Sequence, residues 1–307
     1  MTNLYPLKFK PIRKERLWGE ESWTLSGLIE DESVVLNGFL ADNNINELIE
    51  VYLGDLLGEK IYERFGEEFP VLIKFIDVNE HISLQMHPDD KTAMERHNSY
   101  GKIENWYIIS AEPSAKIYLG LNRDMTPHEL YDRCCNGTVE ECLNVIVPQK
   151  GDIITIESCM LHSATGGFRF VEVQQTSDLT YRIYDWGREN DTATARELHF
   201  DLAIDCINYE RVYPERFISK AEVGNSWYSV KVITGKHIGE RCHHTDRHGG
   251  RDEAIIYVCT EGSALIRWQN SSEPLKAGET VLIPADLEEF CIEGDCTLLE
   301  VSLRIPE

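Results

Sequence analysis

The chain has 307 residues, 42% of them hydrophobic, enough for real cores in one or two domains and incompatible with intrinsic disorder. Thirty basic against 53 acidic side chains leave a formal charge of −23, which opposes any nonspecific hold on nucleic acid or an anionic membrane and demands a local basic pocket for an anionic substrate. Nine cysteines without a CxxC pair, an N-terminus unlike a signal peptide, and no apolar run near the ~18 residues of a membrane span point to a reduced, cytoplasmic protein.

In chain order, the basic run from Lys8 to Arg16 reads as a solvated charged edge, followed by strand-like alternation around Trp18 and Trp23. Ile45, Leu48, Ile49, Leu53, Leu56 and Leu57 recur near a 3.6-residue period and predict a helical segment over 45–65, capped by Asn43 or Asn44. Residues 71–77 read as a buried strand. The stretch from Ile82 to Met86 alternates, with Ile82, Leu84 and Met86 on one face and Ser83, Gln85 and His87 on the other. Such a strand suits either the polar interior of a small barrel or an ordinary sheet with one wet face. A short helix should follow to His97, and then a strand over 101–109 that places Lys102, Glu104 and Trp106 on a common face.

Two capping boxes, Thr126-Pro127-His128-Glu129 and Thr138-Val139-Glu140-Glu141, predict helices over 127–135 and 139–146. Vicinal Cys134 and Cys135 read as packing, since adjacent cysteines rarely reach disulfide geometry. Strands resume at 152–156, 168–175 and 180–186, the last with Thr180, Arg182, Tyr184 and Trp186 on one face, before a helix near 196–207. Beyond 215 the pattern is short strands and turns, as in a β-sandwich or barrel. An internal repeat supports this: Gly151 to His162 aligns without gaps on Gly278 to Glu289, each with a glycine, an acid, four β-formers and a turn. The closing histidine of the first copy is Glu289 in the second.

His87, Glu104 and His162 thus fall at polar ends of strands in the first unit. Two imidazoles and a carboxylate could hold zinc with an open position, with Gln85 adding an amide oxygen, and the same set would serve a non-haem iron oxygenase.

The segments Tyr5 to Pro11, Glu21-Ser22-Trp23, Ser83 to Asp90, Gly101 to Tyr107 and Gln174 to Trp186 resemble type I mannose-6-phosphate isomerases in their short bacterial form, with order and spacing matching along nearly the whole chain. The resemblance implies a mainly β protein of two cupin-like jelly-roll barrels with a small helical insertion. Residues 1–210 would form the catalytic domain, with helical segments near 45–65 and 127–146, and 211–307 a degenerate second barrel.

It further implies one zinc ion per chain on His87, Glu104 and His162, with Gln85 where long forms have a fourth ligand. Arg182 stands at the family's active-site arginine, Lys102 at a lysine of substrate handling or proton transfer, and Ser83 at a serine near the sugar phosphate. The reaction implied is interconversion of mannose 6-phosphate and fructose 6-phosphate through an enediol.

The chain departs from the family before the second histidine. The usual Pro-x-Gly-x-x-His is here Glu157-Ser158-Cys159-Met160-Leu161-His162. That change motivates an alternative, a catalytically impaired sugar-phosphate-binding cupin acting as a sensor. His243, His244, His248 and Glu253 resemble a first cupin motif in the second barrel, but nothing at Glu289 closes a metal set, so they read as a surface cluster.

Overall fold

The computed structural model describes residues 4–235, the backbone of 243–244, and residues 253–287 and 289–305. The expected character holds: the molecule is mainly β, built on antiparallel sheets with a few short helices. No helix among the described residues is long and apolar enough to cross a membrane. Two compact units emerge. One comprises residues 1–12, 22–74 and 220–307, the other 13–21 and 75–219.

The second unit carries a five-stranded sheet in the order Tyr181–Tyr184, Leu84–Met86, His162–Thr165, Lys116–Leu121, Leu143–Ile146. A second sheet runs Ile218–Ser219, Ile153–Ile156, Glu104–Ala111, Phe168–Gln175. Ile117, Leu119 and Ala164 of the first sheet pack with Trp106, Ile108, Ile154, Ile156 and Phe170 of the second to form the barrel core. The other face of the five-stranded sheet, with Leu84, Met86, Tyr118 and Ile183, is covered by Leu130 and Cys134 of helix Pro127–Cys135 and by Ala203. Alternation along each strand therefore separates a covered outer face from an inner face that can carry polar groups.

Two details differ from the sequence expectation here. Ile82 packs into the inner core, not beside Leu84 and Met86, because the strand starts only at Leu84 and the residues before it do not follow its parity. A register shift between Arg182 and Tyr184 likewise turns Tyr184 and Trp186 against the outer cluster, away from the line of Arg182.

The first unit holds an eight-stranded sheet whose main path is Leu7–Lys8, Thr280–Ile283, Ile255–Trp268, Glu289–Leu303, Tyr228–Gly235, Glu222–Gly224. Contact density thus groups residues 22–74 with 220–307, unlike a division by chain order at 210. The reasons are local: Leu7 pairs with Leu282 in the sheet, and the Leu56 and Leu57 carbonyls accept from the Ala285 and Ala254 amides. The helical segment itself is broken into Ile45–Tyr52, Gly54–Leu57 and Glu59–Phe65 by Leu53 at φ 50° and Gly58 at φ 100°. Asn44 caps it with a complete capping box to Glu47.

Pro127–Cys135 forms as expected. The segment 139–146 does not: Thr138 makes no side-chain cap, only one 3₁₀ turn forms over Val139–Cys142, and Leu143–Ile146 is a strand paired to Lys116–Leu121. The helix expected near 196–207 shortens to Phe200–Ala203.

The internal repeat is a structural one. Gly151 and Gly278 sit at φ 87° and 89°, a conformation that favours glycine, and each donates its amide to the neighbouring strand, to Ile108 and Cys259 respectively. Asp152 and Glu279 close the two turns identically, their carboxylates accepting from Gln149 N at 3.0 Å and Lys276 N at 2.8 Å. The cluster His243, His244 and His248 lies outside the residues whose side chains are described.

Candidate metal centre

Three strands converge on one line. His162 lies opposite Gln85, and Gln85 opposite Arg182, so these side chains project from the same face of the five-stranded sheet. His87 follows Gln85 by two residues and joins that face. Glu104 opens the facing strand, opposite Ile156 and Gln174. The sheets thereby bring His87, Glu104 and His162 together, each fully buried, with one ligand atom apiece all within 4.8 Å of one another.

The protonation pattern follows from the outer partners. His87 Nδ1 lies 2.8 Å from the Leu179 carbonyl and His162 Nδ1 lies 3.0 Å from the Met160 carbonyl. A carbonyl can only accept, so Nδ1 carries the proton on both rings and the Nε2 lone pairs face inward. They meet Glu104, whose two oxygens are 3.4 Å from the two Nε2 atoms. Burial, aided by Lys102, pushes His87 down to about 4, and burial also lowers His162, so both rings are neutral.

His87 Nε2 and both Glu104 oxygens are buried without a hydrogen-bond partner. Two lone pairs and a carboxylate facing one another with no proton between them would repel. A divalent cation satisfies all three at once, and the donor set of two imidazoles and a carboxylate suits a transition metal.

Lys102 is the remaining charge, 4% exposed, with Nζ 2.8 Å from Glu104 Oε2 though outside hydrogen-bond geometry. Burial alone would lower its pKa, but Glu104 and Glu172 outweigh that and hold it above the usual lysine value. Glu104 shows the converse. Burial would raise its carboxyl, but Lys102 and the two histidines hold it well below the ordinary range.

Glu172 is a residue that the sequence pattern does not single out. Its Oε1 lies 3.8 Å from Lys102 Nζ while Oε2 accepts from Trp106 Nε1 at 2.9 Å. Only the register of the second sheet, with Glu172 opposite Trp106, turns an acid in a β run into a buried partner of Lys102. The repeat preserves this pair: Tyr257 lies opposite Glu300 and donates to it at 2.9 Å. The metal position is not preserved. Ile255, opposite Ile283, stands in the second copy where Glu104, opposite Ile156, stands in the first.

Gln85 Nε2 approaches His162 Nε2 at 3.3 Å, and its Oε1 accepts from Ser83 Oγ at 3.0 Å. Rotating the amide would present Oε1 to the metal position, and the Ser83 hydroxyl can serve either orientation. Ser83 is itself buried, so in this geometry it acts through Gln85. Arg182 donates Nη1 to the Glu197 carbonyl at 2.7 Å, and its buried Nε has no partner.

Behind Arg182, fully buried Asp185 binds Arg196 at 2.6 and 3.0 Å and Arg188 at 2.7 Å. Burial alone would raise its carboxyl, but those guanidinium groups hold it below the usual range. A carboxyl lowered on folding adds stability that is fully present above its unfolded value of about 3.9 and is lost as pH falls through the folded value. Replacing Asp185 with asparagine is expected to cost about 2 kcal/mol in urea unfolding at neutral pH, with the gap to the parent closing under strong acid.

The unusual turn delivers His162 after all. Cys159 takes φ 67° at the place where the family pattern has glycine, its amide donates to the His87 carbonyl at 2.7 Å, and its carbonyl accepts from Asn208. The chain keeps the left-handed backbone and accepts the Cβ strain. Cys159→Gly is therefore expected to leave stability within about 1 kcal/mol, whereas β-branched Cys159→Val should cost about 2 kcal/mol, read from denaturant midpoints.

Comparison with known proteins accords with this arrangement. The family described as "Phosphomannose isomerase type I, catalytic domain" matches residues 20–109, and "Mannose-6-phosphate isomerase, cupin domain" matches 245–303. Among curated relatives from Bacillus subtilis, the probable mannose-6-phosphate isomerase GmuF is 30% identical over 96% of this chain and 98% of its own. Mannose-6-phosphate isomerase ManA is 29% identical over 94% and 96%. The crystal structure of the mannose 6-phosphate isomerase from B. subtilis superposes with a TM-score of 0.80 at 28% identity, covering 96% of this chain and 99% of that one. A phosphomannose isomerase from Salmonella typhimurium shares the fold at 15% identity, with a TM-score of 0.74 over 98% of this chain and 100% of that one. With near-complete coverage of its relatives and the inward-facing His, Glu and His set in place, the chain belongs to the mannose-6-phosphate isomerase family.

Proposed function

We propose that the protein is a zinc-dependent aldose-ketose isomerase interconverting mannose 6-phosphate and fructose 6-phosphate through an enediol. The observation that carries this reading is the buried trio of His87 Nε2 and the two Glu104 oxygens, left without donors beside a buried lysine. Bound by His87, Glu104 and His162, with Gln85 as a fourth donor, zinc would supply Lewis-acid polarisation of the sugar's carbonyl and C2 hydroxyl oxygens.

The chain's own groups bind the sugar and polarise its oxygens. Lys102, held protonated by Glu104 and Glu172, gives its proton to the carbonyl oxygen as charge develops there and takes one back from the hydroxyl that becomes the new carbonyl, so that it ends the cycle protonated. Glu172 Oε1, 3.8 Å from Nζ, steadies that cation. Arg182 stays charged and offers a partnerless Nε to the sugar's phosphate or the enediol oxygens. Gln85 and Ser83 set the polarity of the wall between Arg182 and His162. In a chain of net charge −23, these cations supply the local basic pocket that an anionic sugar phosphate needs.

The test is a coupled assay for fructose 6-phosphate from mannose 6-phosphate, before and after chelation. Turnover that a chelator abolishes and zinc restores supports the reading. Retained sugar-phosphate binding without turnover would replace it with the sensor reading, which the intact placement of His162 does not favour. Purified protein that carries iron would point to an oxygenase instead.

A further inference from the structure

Lys102 precedes the strand Glu104–Ala111, and the backbone bonds beside it are long, from Gln175 N to the Ile103 carbonyl at 3.3 Å and from its own amide to the Pro88 carbonyl at 3.2 Å. Two side chains far apart in sequence add shorter bonds. Asp90 Oδ1 accepts from the Gly101 amide at 2.9 Å, and Gln175 Oε1 accepts from the Ile103 amide at 2.7 Å. The two are joined, since Gln175 Nε2 donates to the same Asp90 Oδ1 at 2.9 Å. The residues on either side of Lys102 are thus held by one connected pair, which is mounted on helix Asp90–His97 and the end of strand Phe168–Gln175. Lys102 itself adds its amide to the Pro88 carbonyl at 3.2 Å and accepts Ser158 Oγ at 3.2 Å.

The fit is close. A Cβ on Gly101 would lie 2.5 Å from Asp90 N and 2.6 Å from the Asp89 carbonyl carbon, so the backbone cannot approach this way with any other residue. The side-chain bonds from Asp90 and Gln175 to this segment land on residues 101 and 103, and none lands on His87, Glu104 or His162.

We propose that Asp90 and Gln175 are positioning residues for the isomerisation, acting on Lys102 and not on the metal ligands. The proposal rests on the role assigned to Lys102 above. Loss of the clamp lets Nζ drift while Glu104 and His162 stay on their strands and His87 keeps its bond to the Leu179 carbonyl, and a misplacement of about 1 Å costs on the order of 10²-fold in rate.

The experiment measures kcat, KM for mannose 6-phosphate and bound zinc for Asp90→Ala, Asp90→Asn and Gln175→Leu, and for Asp90→Ala in a Lys102→Met background. Expected are kcat losses of about 10- to 100-fold for Asp90→Ala and Gln175→Leu, with KM changed less than about threefold and zinc retained. Asp90→Asn keeps the acceptor oxygen and should rescue. In the Lys102→Met background, Asp90→Ala should add no further loss. An equal additional loss there, or loss that tracks departing zinc, overturns the positioning role. So does parental kcat in Asp90→Ala or Gln175→Leu beside a slow Lys102→Met. A Lys102→Met protein of parental kcat overturns the underlying reading of Lys102, and this one with it. If Asp90→Ala fails to fold, Gln175→Leu and Asp90→Asn decide alone.

Discussion

Glu104→Gln is expected to remove metal, activity and part of the stability together. Glu104 offers one oxygen toward each histidine at 3.4 Å, so neutralising it deprives a cation of its single anionic donor among the three. Loss of kcat/KM by about 10³-fold is expected, since both metal affinity and the field on the substrate oxygens depend on that charge. The metal-free protein should also suffer. Lys102 would be left buried beside a neutral amide, with Glu172 at 3.8 Å as its remaining ion-pair partner near the site. Breaking a buried pair by removing one member costs about 3 kcal/mol. Zinc stoichiometry by elemental analysis and urea midpoints on chelated protein read the two effects separately. A variant that keeps its zinc and its midpoint would contradict the geometry that makes Glu104 the hub.

Much of this hub was legible from residue order. His87 after an alternating strand, Glu104 at the mouth of the next and His162 after a turn follow from period-two parity, which needs no tertiary information. What parity does not carry is register. Glu172 becomes a partner of Lys102 only because it stands opposite Trp106, and Asp90 meets Gln175 only because a helix N-terminus and a strand end converge. Parity also fails where a strand is shorter than its pattern, which is why Ile82 sits with the inner core.

Two of the helical expectations were modified for related reasons. Leu53 and Gly58 take positive φ and break the run over 45–65, and the Leu143–Ile146 segment gains more from sheet pairing than its upstream capping box could offer a helix. The turn before His162 is the instructive case. Its residues depart from the family pattern, yet the backbone conformation is kept, with a cysteine where a glycine would be at ease.

Lys102→Met should behave differently from Glu104→Gln. Methionine matches the length of the aliphatic stem, so the void is small, and the two candidate histidine ligands keep their outer partners, the Leu179 and Met160 carbonyls. Zinc content is therefore expected to stay near one ion per chain, because a bound cation takes over the counter-charge that Lys102 gave Glu104. Activity should nevertheless fall about 10²- to 10⁴-fold in kcat, the range for loss of a group that transfers or donates a proton in the transition state. KM should change little if Arg182 carries the anionic end of the substrate. The metal-free variant should be no less stable than the metal-free parent by more than about 2 kcal/mol. It loses a costly buried cation as well as an ion pair, and those contributions oppose each other. A Lys102→Met protein that isomerises at the parental rate with full zinc would leave the trio of ligands as a metal site but would require the proton to be handled elsewhere. Glu172, already 3.8 Å from Nζ, would then be the group to substitute next.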